Sequence, residues 1–173
     1  MRLILIRHGI AEDQEAFANS GEEDSLRPLT RSGRRKMKLA ANGLRKLLPK
    51  IDLLATSPFK RAAQTAGIIF TAYKDEPQFV ELPLLATAHP LKKLVEWLNG
   101  NDDPAGTIAL VGHEPSLSRL AGWFTGGREK SIVTLKKGAA CIIDFPGKIA
   151  AGKGVLHGLF QPRDLRRQKM FPT

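Results

Sequence analysis

The sequence predicts one α/β domain over residues 1–173: a three-layer sandwich with a mainly parallel central sheet and helices on both faces. Three observations predict it. A chain of 173 residues fits a single domain. Short apolar runs alternate with stretches of helical period, the pattern of strand–helix–strand units. The runs at 2–7, 51–55 and 107–111 are continuous rather than alternating, as strands covered on both faces require.

The elements follow in order. Residues 2–7 form the first buried strand. Residues 11–28 turn acidic and polar and read as one long loop, a segment type that often carries function in compact domains. Thr30 fits a helix N-cap, and Met37, Ala40, Ala41, Leu44, Leu47 and Leu48 follow at the spacing of an amphipathic helix that Pro49 ends. A second strand covers 51–55. Ser57-Pro58 opens a helix with Pro at its first position, running to about Tyr73. Phe79 to Leu85 reads as a short extended segment, and Leu91 to Leu98 as a helix after Pro90. A strand at 107–111 precedes a helix from Pro115 to Phe124. Residues 139–145 and 154–159 read as two closing strands, expected to pair as a hairpin. The basic tail, 163–173, is expected to be mobile or to dock an acidic partner.

Composition narrows the function classes. Apolar residues make up 42% of the chain, enough for one ordinary core. No run of ~20 apolar residues offers a membrane span. The Leu3–Ile6 run, cut short by Arg7 and His8, is too brief for a signal peptide. The single cysteine, Cys141, reads as part of a buried strand, and the cytoplasm is the expected compartment. The net charge of +10 gathers at 31–38, 136–137 and 163–169. It suits solvated helix faces and a field that attracts phosphorylated partners. Nucleic acid is not the expected ligand, because no recognisable nucleic-acid motif accompanies the charge and aromatics are only 6%.

Chemistry concentrates where the strands end. In open α/β sheets, ligands bind beyond the carboxyl ends of the strands. The strand at 2–7 ends in Arg7-His8-Gly9. The one at 51–55 leads into Thr56-Ser57-Pro58, with Arg61 in the next helical turn. The one at 107–111 leads into Gly112-His113-Glu114. Two imidazoles and two guanidinium groups are thereby predicted to converge. An arginine fork matches phosphate oxygens and stays charged; a neutral imidazole with one oriented nitrogen is a nucleophile; Gly9 lets backbone approach an anion closely. His8 and His113 have no third ligand at recognised spacing, and His113-Glu114 does not extend to a zinc-protease motif, so no metal is expected.

These residues carry a resemblance. Leu5-Ile6-Arg7-His8-Gly9 resembles the N-terminal signature of the histidine phosphatase superfamily, which includes the cofactor-dependent phosphoglycerate mutases. Residues 56–66, Thr-Ser-Pro-Phe-Lys-Arg-Ala-Ala-Gln-Thr-Ala, resemble its second motif, and Val111-Gly112-His113-Glu114-Pro115 its third. The short length, Arg27-Pro28-Leu29-Thr30-x-x-Gly33 and Ser57-Pro58-Phe59 are most similar to the SixA branch, the phosphohistidine phosphatases. The resemblance implies a phosphoglycerate mutase-like fold. It also implies His8 as a nucleophile that carries the phosphoryl group covalently, with Arg7, Arg61 and His113 holding its oxygens and Gly9 beside them. No metal or organic cofactor is implied.

The superfamily pattern places a glutamate between the second and third motifs as proton donor, and after Pro83 this chain has Leu84 instead. Glu81 and His89 are the nearest candidates; Glu12 and Glu114 lie further off. An alkoxide leaving group needs a proton, whereas imidazole leaves phosphohistidine as a neutral ring when its other nitrogen is protonated, near pKa ~6.5. A phosphohistidine-bearing protein domain is therefore the expected substrate. The alternatives are a small-molecule phosphomonoesterase or mutase of the same fold, and a non-catalytic phosphate- or nucleic-acid-binding module.

Overall fold

The structure, a computed structural model, describes residues 1–86, 91–101 and 106–167. The elements run β1 (Arg2–Arg7), α1 (Gln14–Ala18), α2 (Arg31–Leu47), β2 (Leu53–Thr56), α3 (Lys60–Ala72), β3 (Gln78–Glu81), α4 (Leu91–Gly100), β4 (Thr107–Gly112), α5 (Ser116–Gly126), β5 (Ala140–Asp144), β6 (Val155–Phe160) and α6 (Pro162–Arg166). The sheet order is β3-β2-β4-β1-β5-β6. The first four of these strands are parallel, and β5 and β6 are antiparallel to their neighbours, so the sheet is mixed.

Continuous apolar strands do what their composition demands. Leu3, Ile4, Leu5 and Ile6 are at most 1% exposed, because alternate side chains enter two separate cores. Leu3, Leu5, Leu110 and Cys141 meet α4 and α5 through Leu94, Leu98, Leu117 and Phe124. Ile4, Ile6, Val111 and Ile142 meet α2 and α3 through Met37, Leu44, Ala62 and Ile69. These are the three expected layers. Burial pushes the Cys141 thiol up to about 12.

Four local expectations are corrected. The segment 11–28 is not one loop: Asp13 caps α1 by accepting from the Glu15 and Ala16 N–H groups, and residues 24–26 form a 3-10 turn. Neither buries an apolar stripe, so neither leaves a periodic signal. Pro58 does not start a helix; α3 begins at Lys60 after the N-cap Phe59, because Ser57 Oγ turns the chain by accepting the Phe59 N–H at 3.3 Å. The extended segment stops at Glu81, and Pro83–Leu85 tighten into a 3-10 turn. The start of the basic tail is helical and seated, with Leu165 1% exposed against α2. Gly43 makes this possible, since a Cβ there would lie 1.8 Å from the Leu165 carbonyl oxygen.

Candidate active site

β2, β4 and β1 are adjacent in the sheet, so their carboxyl ends form one rim. The register aligns Arg7 with Gly112 and Thr56 with Val111. The ladder continues past the strands: the His8 N–H donates to the Gly112 carbonyl at 3.0 Å and the Ser57 N–H to the Val111 carbonyl at 2.9 Å. His8, Ser57 and His113 are thus fixed by backbone rather than by loose loops. Arg7, His8, Arg61 and His113 all line one cleft of about 510 Å³. The His8 and His113 rings lie 5.1 Å apart, centroid to centroid.

Each side chain is held by a defined partner. His8 Nδ1 lies 2.7 Å from the Gly9 carbonyl oxygen. A carbonyl can only accept, so Nδ1 carries the proton and Nε2 keeps its lone pair. His113 Nε2 is 2.9 Å from Ser57 Oγ. That hydroxyl accepts the Phe59 N–H and keeps both its proton and a second lone pair, so it pairs with either tautomer of His113. Burial foremost, with nearby His113 and arginine charge, lowers His8 to about 3; burial and then Arg61 lower His113 to about 4. Both rings are neutral at pH 7.

Arg7 Nη1 donates to the Leu135 carbonyl at 2.7 Å. Arg61 is clamped by residue 24 twice, through the carbonyl oxygen at 2.8 Å and the carboxylate at 2.9 Å. Arg27 completes this brace, donating to Asp24 at 2.7 Å and to the Glu12 carbonyl. Burial of the Asp24 carboxyl opposes ionisation, but Arg27 and Arg61 outweigh it and hold its pKa below the usual range. Three buried nitrogens, Arg7 Nε, Arg61 Nε and His113 Nδ1, have no partner among the described residues. All three belong to cleft-lining residues, the two arginine nitrogens are donors, and a buried polar atom is costly to leave unpaired. A tetrahedral oxyanion in the cleft would offer acceptors to the two arginine nitrogens. Among the described residues no group of three His, Cys, Asp or Glu side chains is placed to hold a metal ion.

The proton-donor candidates separate. Glu81 ends the edge strand β3, is exposed and is not among the cleft residues. His89 lies outside the described residues. Glu114 lines the cleft, but its carboxylate takes the Ser118 hydroxyl and N–H and the Leu135 N–H, which fixes the Leu135 carbonyl for Arg7. Glu12 also lines the cleft. Sequence reasoning missed Ser57 and Asp24 as site residues. Ser57 stands in the strand-end segment and second motif around Arg61 without a role of its own, and Asp24 only in an acidic loop.

The fold and this rim define a class, the α/β phosphatases built around a histidine–arginine anion site. The chain belongs to the histidine phosphatase superfamily. The family model for its branch 1 matches residues 3–85. The chain is 35% identical over 139 residues to an uncharacterized protein of Picosynechococcus, covering 79% of this chain and 81% of that one. It is 24% identical over 170 residues to the phosphohistidine phosphatase SixA of Escherichia coli, covering 98% and 99%. Among solved structures, the protein histidine phosphatase SixA complexed with tungstate superposes at a TM-score of 0.80, with 23% identity over 95% of this chain and 99% of that one. A phosphoserine phosphatase from Entamoeba histolytica in complex with phosphoserine superposes at 0.66, with 16% identity over 95% and 98%.

Proposed function

We propose that this phosphatase hydrolyses protein phosphohistidine through a covalent intermediate on His8, in the cytoplasm. The observation that carries the reading is the His8 tautomer: a neutral ring whose Nδ1–H is tied to the Gly9 carbonyl and whose Nε2 lone pair is free to attack. Phosphorus passes from the donor nitrogen to His8 Nε2, and the donor ring, protonated on its other nitrogen, leaves as neutral imidazole. Arg7, Arg61 and His113 donate to the equatorial oxygens, where charge is spread as the P–N bond breaks. His8 then carries both the phosphoryl group and the Nδ1 proton. Water attacks phosphorus, the P–Nε2 bond breaks, and His8 returns to its neutral form as orthophosphate leaves with both water hydrogens. Neither half needs a protein acid, which suits a site where Leu84 stands in the glutamate's place.

The SixA relatives support this choice of donor. A second reading, an alkyl phosphomonoester as substrate, is favoured by Glu12, a cleft carboxyl that can protonate an alkoxide. Two measurements test the proposal. His8→Ala is expected to abolish p-nitrophenyl phosphate turnover, and full turnover by that variant would remove His8 as nucleophile. Wild-type enzyme is expected to prefer phosphohistidine to phosphoserine in kcat/KM. A preference for the alkyl phosphate would hand the site to the second reading.

A further inference from the structure

A hollow adjoins the cleft. Gly9, Ile10 and Gly138 contribute to its walls, and Lys36 of α2, Lys137 and Arg166 of α6 surround it. Lys137 lines both the hollow and the cleft, and Gly9 follows His8 in the chain. The three cations are exposed, and none forms an ion pair among the described residues. Their setting is strongly basic. No acidic residue occurs in the first turn of α2, whose N-terminal half carries Arg31, Arg34, Arg35 and Lys38 besides Lys36. Positive charge at a helix N-terminus opposes the macrodipole, and three like charges around one hollow repel one another. An anion relieves both.

We propose that the cationic rim of this small hollow, about 20 Å³ in volume, is a recognition subsite for an acidic side chain of the protein substrate, close in the chain to the phosphohistidine. That side chain rests between Lys36, Lys137 and Arg166. The inference rests on the protein phosphohistidine reading above. Its occupant belongs to the same molecule as the phosphoryl donor, because the hollow meets the cleft beside the nucleophile's own loop. A protein carboxylate fits better than nucleic acid, since no aromatic ring lines the hollow for base stacking. The subsite would also explain why Leu165 of α6 seats so closely on Gly43: that contact brings Arg166 to the hollow.

The test uses two phosphohistidine peptides that differ only in flanking residues, glutamate in one and glutamine in the other, with p-nitrophenyl phosphate as the small substrate. Wild-type enzyme is expected to show about a tenfold lower KM for the glutamate peptide at low salt, with similar kcat, as charge complementarity predicts. Lys36→Glu with Arg166→Glu should erase that preference while p-nitrophenyl phosphate turnover stays within about twofold. Lys36→Gln with Arg166→Gln, a milder pair, should reduce it if the charge-reversed protein folds poorly. Equal KM values for the two peptides in wild type would overturn the subsite, as would a preference that survives both variant pairs. So would competition by a duplex oligonucleotide at concentrations where the glutamate peptide binds weakly. Failure to hydrolyse either peptide, with p-nitrophenyl phosphate still turned over, would remove the phosphohistidine reading itself and the subsite with it.

Discussion

At the residue scale, the two histidines set the pH behaviour. A free histidine titrates near ~6.5, whereas His8 and His113 are lowered to about 3 and about 4 by burial and neighbouring arginines. The rings are close enough to titrate as a pair. In kcat/KM corrected for substrate ionisation, the acid limb is expected near pH 4, with no inflection near 6.5; a limb at 6.5 would contradict the buried neutral pair. Stability carries a matching signature. The unfolded chain binds these protons below ~6.5 while the native state refuses them until about 4. The depressed native pKa values therefore contribute stability that is full above ~6.5 and is lost as pH falls toward 4. Urea midpoints should drop between pH 7 and pH 5, and less so in His8→Asn with His113→Asn. The convergence of Arg7, His8, Arg61 and His113 on one cleft was legible because histidine and arginine at strand ends have few structural uses together. Ser57 and Asp24 were not, because serine and aspartate are common in turns and only the folded partners reveal what they hold.

At the element scale, the segment Arg27-Pro28-Leu29-Thr30-x-x-Gly33 turns out to be a splint for the loop that carries His8. Arg27 reaches Asp24 and Glu12. The Thr30 N–H donates to the Ile10 carbonyl at 3.0 Å, and Thr30 Oγ1 caps α2 by accepting the Gly33 N–H at 2.8 Å. A Cβ at Gly33 would stand 2.0 Å from the Ile10 carbonyl oxygen. Gly33→Ala must therefore push α2 off the His8–Ile10 loop. We expect a loss of about 1–3 kcal/mol in stability, typical of overpacking, and a fall in kcat measurable with p-nitrophenyl phosphate. Gly67, inside α3, has nothing within 4 Å of its would-be Cβ, so Gly67→Ala should instead gain about 0.5–1 kcal/mol. Equal effects at the two sites would refute the splint. Elements with an apolar stripe or a continuous apolar run were legible at this scale. The five-residue helix α1, which has no buried residue, and the turn after β3 were set by capping and local hydrogen bonds that leave little periodicity to read.

At the scale of the whole molecule, sheet order does the assembling. Nothing in the residue pattern states that β2, β4 and β1 are neighbours, yet the general rule for ligands at parallel strand ends was enough to bring their termini together. The fold class was legible because each central strand is apolar along its whole length. The antiparallel edge followed from the short connection between the last two strands. No helix of the described residues is long and apolar enough to cross a membrane. Charge is uneven across this body, with acidic residues in the 11–26 stretch and basic ones on α2 and α6, so the rate of protein dephosphorylation should fall with ionic strength more steeply than that of p-nitrophenyl phosphate.

Cys141 pairs with Leu5 on one side and Leu159 on the other, at the junction between the parallel strands and the hairpin, and it is 0% exposed. Its sulfur is therefore a built-in gauge of how often the sheet comes apart. An alkylating reagent should leave the native enzyme untouched for as long as β1 and β5 stay zipped, and label it at the rate of their opening in dilute urea. Rapid labelling in plain buffer would mean that this seam breathes far more freely than its burial implies.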